Sequence, residues 1–448
     1  MNFFGSGLIA FSGIKATRFA LWWLAIFLVV SLSFPGHTLG KIYIDINAPS
    51  VRKFNIALPD FKNQSTNNQH PELSNKLPAV ISNDLDLSGY FSAMDKEAFL
   101  EKDADALTLE QIRFKDWSVI GAEILLKGSY TCIGGSLEVE IRLFDVFWGR
   151  QILGKRVLGE IRDYRHLMHR LGNDIIRTLT GHPGIFLTKV AFVANASGHK
   201  EIYECDYDGY NVRRITEDRS IALLPRWSPD GTRILYNSYK DGGPMLYMKE
   251  KTSRTARQIS ARSGLNIGAS WAPDGSRVAL TLSLNGNPDI FMIDLSGKII
   301  RRLTDHWSID VSPVFSPDGK KIAFVSNRSG SPQIYVKDLT NGTEQRLTYE
   351  GTYNTSPSWS SLNRVAYASL GGGSFDIFSI DEEGGQLRRL TNNQGNNEDP
   401  CWSPDGRYLM FSSNREGRYN LYIMNANGQN QRKVTSLEGD QTAPSWSP

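Results

Sequence analysis

Cysteine is scarce in this 448-residue chain: Cys132, Cys205 and Cys401 are the three present. Three thiols spread this widely give no disulfide framework, and buried free thiols are the default reading, with a Cys205–Cys401 bridge the lesser alternative. Histidine is also sparse, at seven residues, and neither the cysteine spacing nor the histidines form a metal motif. His166 and His169 stand three apart in "YRHLMHR", but no third ligand accompanies them, so they read as helix-surface residues. A charge excess is missing as well. Residues 1–40 carry two basic residues and no acidic one, so removing them leaves 48 Lys and Arg against 47 Asp and Glu. A net charge of +1 does not supply the basic face that nucleic-acid binding requires. Long apolar runs are absent apart from "FALWWLAIFLVVSL" (Phe19 to Leu32), which follows Lys15 and Arg18. That arrangement reads as a cleaved secretory signal over 1–40, with an uncleaved membrane-spanning helix as the alternative. Thr38 and Gly40 mark a plausible cleavage point.

What the chain has in abundance is repetition. An aromatic residue opens each copy of a "WSPDG"-like unit, at Trp227, Trp271, Phe315, Trp359, Trp402 and Trp446, in steps of 44, 44, 44, 43 and 44 residues. A second mark, "RIT" or "RLT", keeps the same beat and ends at Thr216, Ser260, Thr304, Thr348, Thr391 and Thr435. Each unit reads as four short strands, for example "SPVF", "KKIAFVSN", "QIYVKDL" and "EQRLT", separated by turn residues. In "SPDG" the proline fixes φ, the aspartate bonds its own backbone and the glycine accepts a positive φ. Six four-stranded units at this period predict an all-β six-bladed β-propeller over 189–448. A phosphate loop is excluded because the glycines join strand to strand, without a helix N-terminus. "DYDG" (Asp206 to Gly209) lacks the other ligands of a calcium loop and reads as a turn.

The first unit, from Lys189, has no preceding Trp strand, while "APSW" (Ala443–Trp446) follows the last complete unit. The expectation is closure of the ring by pairing of this last strand into the first blade.

Residues 41–180 have another pattern and predict a small α/β domain, of four or five mixed strands with two or three helices on one face. Strands are expected at "KIYIDI", "KFNIALPDF", "AEILLKGSY", "SLEVEIRLFDV" and "RQILGKRVLGE", and a helix over "NKLPAVISNDLDLS". Asp163 is expected to cap a second helix, whose Leu167, Leu171, Ile175 and Leu179 share a face. "TGHPG" ends that helix and begins a linker over 181–188.

The order of these parts carries a resemblance: a signal, "KIYIDI" and "FNIALPDF", "NDLDLSGYFSAMD", "GAEILLKGSY", the junction "GIFLTKVAFV", the propeller and "APSWSP". Together they resemble the TolB family of the Tol–Pal system across the whole mature chain. Phe315 in place of Trp and "WSSLN" at Trp359 depart from the repeat and bear on the packing of those blades. The resemblance implies a periplasmic, non-enzymatic protein without cofactor or metal. It implies binding of the Pal-like peptidoglycan-associated lipoprotein at the propeller mouth, and of a TolA-like inner-membrane protein at the mature N-terminus. It also implies a role in outer-membrane invagination during cell division and in outer-membrane integrity. On this analogy Lys41, Ile42, Tyr43, Ile44, Asp45 and Ile46 carry the TolA-side contact, within a stretch reaching about Arg52. Nothing in the sequence calls for more than a monomer.

Two other classes stay open beside it. A peptidase-associated propeller needs a G-x-S-x-G elbow, and no serine here has glycine at both second-neighbour positions. A carbohydrate-binding propeller of the envelope is compatible with exposed aromatics such as Trp307 and Tyr353.

Strand direction assigns the faces. The linker enters a second strand at Lys189, so the N-terminal domain is expected on the "SPDG" face. The opposite face is left to loops that differ between blades: "RSGLNIG", "DHWSIDV", "YEGTYNT", "NNQGNNED" and "LEGDQT". The candidate partner-binding residues around that mouth are Leu265, Asn266, His306, Trp307, Asp310, Val311, Tyr353, Asn354, Glu398 and Asp440.

Overall fold

The computed structural model describes residues 52–100, 107–284 and 286–448, all within one compact unit, Asp45–Pro448. The signal segment and Lys41–Ile46 lie outside the described residues.

In the N-terminal part, β1 (Phe54–Ala57) pairs in parallel with β3 (Phe91–Ala93) and β4 (Ile124–Ile133). β2 (Lys62–Asn63) adds to the far end of β4. β5 (Ser136–Asp145) and β6 (Arg150–Glu160) extend the sheet antiparallel, giving the order β3-β1-β4-β5-β6. The alternation "LEVEIRL" puts Leu137, Val139, Ile141 and Leu143 on one face, all buried. α1 (Leu73–Leu87) and α3 (Tyr164–Thr180) pack on each other, and α3 covers this face of the sheet.

Pro78 lies inside α1 and cannot donate to the Ser74 carbonyl. Phe61 N–H fills that place, donating to Ser74 O at 2.9 Å, while Ser74 Oγ donates back to Phe61 O at 2.6 Å. The Phe61 ring lies on Gly128, where a Cβ would come within 2.7 Å of it.

Helices were expected on one face, but a third, short helix, α2 (Phe114–Val119), covers the other. Its Trp117 is buried with Phe99, Ile112, Leu125 and Phe144, because the second face of β4 and β5 is also apolar at Leu125 and Phe144. Asp163 occupies the N-cap position of α3 without making a capping hydrogen bond, since the chain enters through a 3-10 turn at Ile161–Asp163. Gly181, at φ 78°, ends α3.

Residues 189–446 form six four-stranded antiparallel sheets arranged as a six-bladed β-propeller. In the first blade the inner strand is Gln441–Trp446, paired to Lys189–Ala194 with Gln441 opposite Ala194 and Trp446 opposite Val190. The six aromatics that mark the repeat are all buried between neighbouring blades. "DYDG" is a turn: Gly209 has φ 86°, and a Cβ there would fall 2.0 Å from Val434 O of the adjacent blade.

The second repeat mark is a hydrogen-bonded latch. In five blades the threonine hydroxyl accepts from the backbone N–H fourteen residues earlier, for instance Ile202 N to Thr216 at 2.8 Å and Ile377 N to Thr391 at 2.9 Å. The same hydroxyl donates to a buried carboxylate or amide, as from Thr391 to Asp376 Oδ1 at 2.6 Å. This accounts for the threonine that ends five of the six marks; in the remaining one Ser260 donates to Asn266 Oδ1 at 2.6 Å.

Each inner strand also contains a β-bulge. One residue at the bulge has a left-handed backbone in all six blades: Leu224, Gly268, Ser312, Ser356, Asp399 and Ala443. Bulges increase local twist, which turns the converging inner strands along the channel axis.

Candidate functional site

The two ends of the propeller are occupied differently. On the "SPDG" end, Tyr408 donates its hydroxyl to Ser88 O at 3.0 Å, just past the end of α1. Arg432 pairs with Asp86 at 2.6 Å. Between them and α3 lies a closed polar cluster. His169 places Nδ1 2.9 Å from Asp84 and Nε2 3.6 Å from Asp208. Tyr207 donates to Asp84, and Arg165 pairs with Asp208 while stacking on Tyr210. Burial pushes the Asp84 carboxyl up against the opposing pull of His169, and burial together with Asp84 keeps Tyr207 a neutral phenol.

His169 is therefore no helix-surface residue, whereas His166 is exposed. The spacing "HLMH" put both on one helix, but α3 turns the second towards α1 and the propeller. Asp84, His169 and Asp208 place donor atoms within 4.8 Å of one another. Their oxygens are already engaged by Tyr207, His169 and Arg165, so the arrangement works as a polar chain, ending in the Arg165–Asp208 ion pair, that joins the N-terminal domain to the first blade.

The opposite end is open among the described residues, and seven of the ten candidate side chains reach its surface. Trp307 is 82% exposed, beside a His306 ring that is partly buried, with ring centroids 5.2 Å apart. Tyr353 is 41% exposed and meets Phe375 edge-on. Leu265 and Val311 are partly buried at the mouth. Glu398 accepts from Tyr419 Oη at 2.5 Å, and burial raises its pKa. Asp440 is exposed and accepts from Tyr419 N at 3.0 Å.

The other three point inward. Asn266, Asp310 and Asn354 have no exposed surface. Asn266 accepts from Ser260 Oγ at 2.6 Å, and Asp310 pairs with Arg328 at 2.8 Å. Asn354 donates to Gln333 Oε1 at 2.7 Å. All three occupy the first buried position of an inner strand, where the side chain joins the blade latch instead of the mouth. Charge reversal at Asp310 would set a buried cation against Arg328, which Glu344 also holds, so the substitution acts on stability.

The candidate set also missed Ile221, Leu284, Ile309 and Tyr349, all exposed on this end. Together with Trp307, Tyr353 and Leu265 they make an apolar crescent on loops around blades 2 to 5. The loops of blades 5 and 6 are polar, through Asn393, Glu398, Glu438 and Asp440. The signal lay in reading whole loops: "SIALL" and "SIDV" carry their isoleucines just before the first buried strand residue.

All three cysteines are free, and burial raises the pKa of each thiol. No helix among the described residues is long and apolar enough to cross a membrane.

The comparisons with known proteins agree with this architecture. The family model of the TolB beta propeller domain matches residues 176–448, and that of the TolB amino-terminal domain matches 42–152. A Tol-Pal system protein TolB of Desulfosudis oleivorans is 44% identical over 219 residues, covering 49% of this chain and 50% of that protein. One of Syntrophus aciditrophicus is 40% identical over 225 residues, covering 49% and 50%. The chain thus spans about half the length of the curated relatives it matches. The crystal structure of TolB from Acinetobacter baumannii superposes with a TM-score of 0.79 at 28% identity, covering 91% of this chain and 99% of that one.

Proposed function

Since the chain belongs to the TolB family, we propose that it is a periplasmic binding protein of the Tol–Pal system, acting by contact and not by catalysis. Its open propeller mouth takes the Pal-like peptidoglycan-associated lipoprotein. Residues Lys41–Ile46 take the TolA-like inner-membrane protein. By joining the two it supports invagination of the outer membrane during division and the integrity of that membrane.

One observation carries the mouth assignment. The N-terminal domain docks on blades 1 and 6 at the "SPDG" end, while the other end presents a one-sided apolar crescent centred on Trp307 and Tyr353. Exposed aromatics grouped on one side of a surface are the composition of a protein-contact hot spot. The export signal read over 1–40 supports the periplasmic assignment.

The test is titration of the purified Pal-like domain into the mature protein. Trp307→Ala with Tyr353→Ala is expected to weaken binding by roughly 30-fold or more, at about 2 kcal/mol for a hot-spot side chain, with an unchanged melting midpoint. Unaltered affinity in that double variant removes the mouth assignment. Capture of envelope glycans in place of the lipoprotein, lost in the same variant, would move the protein to the carbohydrate-binding class.

A further inference from the structure

The turn between β5 and β6 has no role in the fold that explains its composition. Phe147 is 80% exposed and Trp148 is 62% exposed, and their rings meet edge-on with centroids 4.9 Å apart. The turn is held firmly. Trp148 N donates to Asp145 Oδ1 at 3.0 Å, Asp145 is buried beside Arg150, and Gly149 at φ 56° lies over the Phe114 ring. Two aromatic side chains are thus displayed on a pre-formed support, with little ordering left to be lost on contact.

Their position is specific. Val146 N donates to Glu123 O at 3.0 Å, and the Glu123 side chain is held by Arg52 at 2.8 Å. Arg52, two residues before β1, and Val146, the neighbour of Phe147 in the chain, thus meet at Glu123. The two rings expose about 300 Å², scaled from aromatic side chains of 150–250 Å². A stable interface needs roughly 800 Å² from each partner. The tip is too small to hold a second copy of the chain or any other protein alone, and it suits a secondary contact beside a tether.

We infer that Phe147 and Trp148 form an auxiliary docking site for the protein caught by residues 41–46, inserting into an apolar recess next to that protein's site for the segment. This rests on the proposal that the segment binds the TolA-like domain. Binding through two linked contacts raises affinity beyond that of either contact alone.

The experiment compares three ligands for the purified soluble TolA-like domain by calorimetry: the mature chain, its Phe147→Ala/Trp148→Ala variant, and a peptide of residues 41–52. The mature chain is expected to bind roughly ten-fold or more tightly than the peptide. The double variant, with an unchanged melting midpoint, is expected to fall to the peptide's affinity. Equal binding by the mature chain and its double variant, with the peptide also bound, overturns the docking site and leaves the segment's role standing. Failure of both peptide and mature chain to bind overturns the underlying reading and the docking site with it. Loss of binding to anionic phospholipid vesicles in the double variant, with affinity for the domain unchanged, reassigns the tip to a membrane surface.

Discussion

Deleting Gln441–Pro448 should remove the closed propeller and not merely loosen one blade. These residues supply the inner strand of the first blade, with Gln441, Thr442, Ser445 and Trp446 opposite Ala194, Val193, Ala191 and Val190. Trp446 is buried, which at ~25 cal/mol per Å² over ~230 Å² contributes up to about 6 kcal/mol. Allowing for a partly compact unfolded chain lowers this to about 4 kcal/mol. Several hydrogen bonds go with it: Trp446 Nε1 to Thr188 Oγ1 at 2.7 Å, Ser447 N to Lys189 O at 2.8 Å, and Trp227 N to Ser445 Oγ at 3.1 Å. At roughly 1 kcal/mol for each such bond and each ladder bond, they add about 4 kcal/mol or more. The total approaches the whole net stability of a typical domain, about 5–15 kcal/mol. The truncated chain is therefore expected to show no cooperative guanidinium transition by circular dichroism. Trp446→Ala gives a graded version, with a loss of about 3–5 kcal/mol from a large-to-small change in a packed interface. A truncated protein that unfolds at the parent midpoint refutes the closure argument outright.

Further outcomes follow from the latch, the domain junction and the turns. Asn354→Ala should lower stability by about 1–3 kcal/mol, since Gln333 loses a buried partner, while affinity for the Pal-like domain stays at the parent value; the reverse pattern would return Asn354 to the mouth. His169→Ala should cost roughly 1–3 kcal/mol because the buried Asp84 carboxyl loses a hydrogen-bond partner; an unchanged midpoint in urea unfolding would show that the junction does not depend on it. Asp230 and Asp318 are held below the usual carboxylate range chiefly by Ser228 and Ser316 hydroxyls, and Asp274 chiefly by Ser276 N–H. Because these folded-state values are depressed, their stabilisation is complete above the unfolded value of about 3.9 and is lost as pH falls through the folded values. The triple Asp→Asn variant should thus be less stable than the parent at pH 6, with the gap closing towards pH 2; a gap independent of pH contradicts the assignment.

Much of the architecture is legible in one dimension because a propeller repeats the same local solution. The Trp and Thr marks fall at fixed spacing since each blade needs one aromatic between sheets and one hydroxyl to bridge strands. In the N-terminal sheet β5 is legible for a related reason, as its apolar alternation follows the pleat. Residues whose role depends on a neighbour far away were not legible. Asn266, Asp310 and Asn354 stand in loop-like sequence, yet the bulged inner strand turns them towards the latch.

The sequence by itself determined the number of blades, the strand that closes them, the family and the end of the propeller on which the loops vary. The blades and their closure rest on local periodicity, the variable end on chain direction, and the family on a resemblance carried by the order of short motifs along the chain. Tertiary structure decided which loop side chains reach the mouth and which are buried beneath it. It alone brought Asp84, His169, Tyr207 and Asp208 into one cluster and joined Val146 and Arg52 at Glu123. Those juxtapositions join residues up to more than a hundred positions apart, as with Asp84 and Tyr207, and packing between elements, not the pattern within any one of them, fixes their distances.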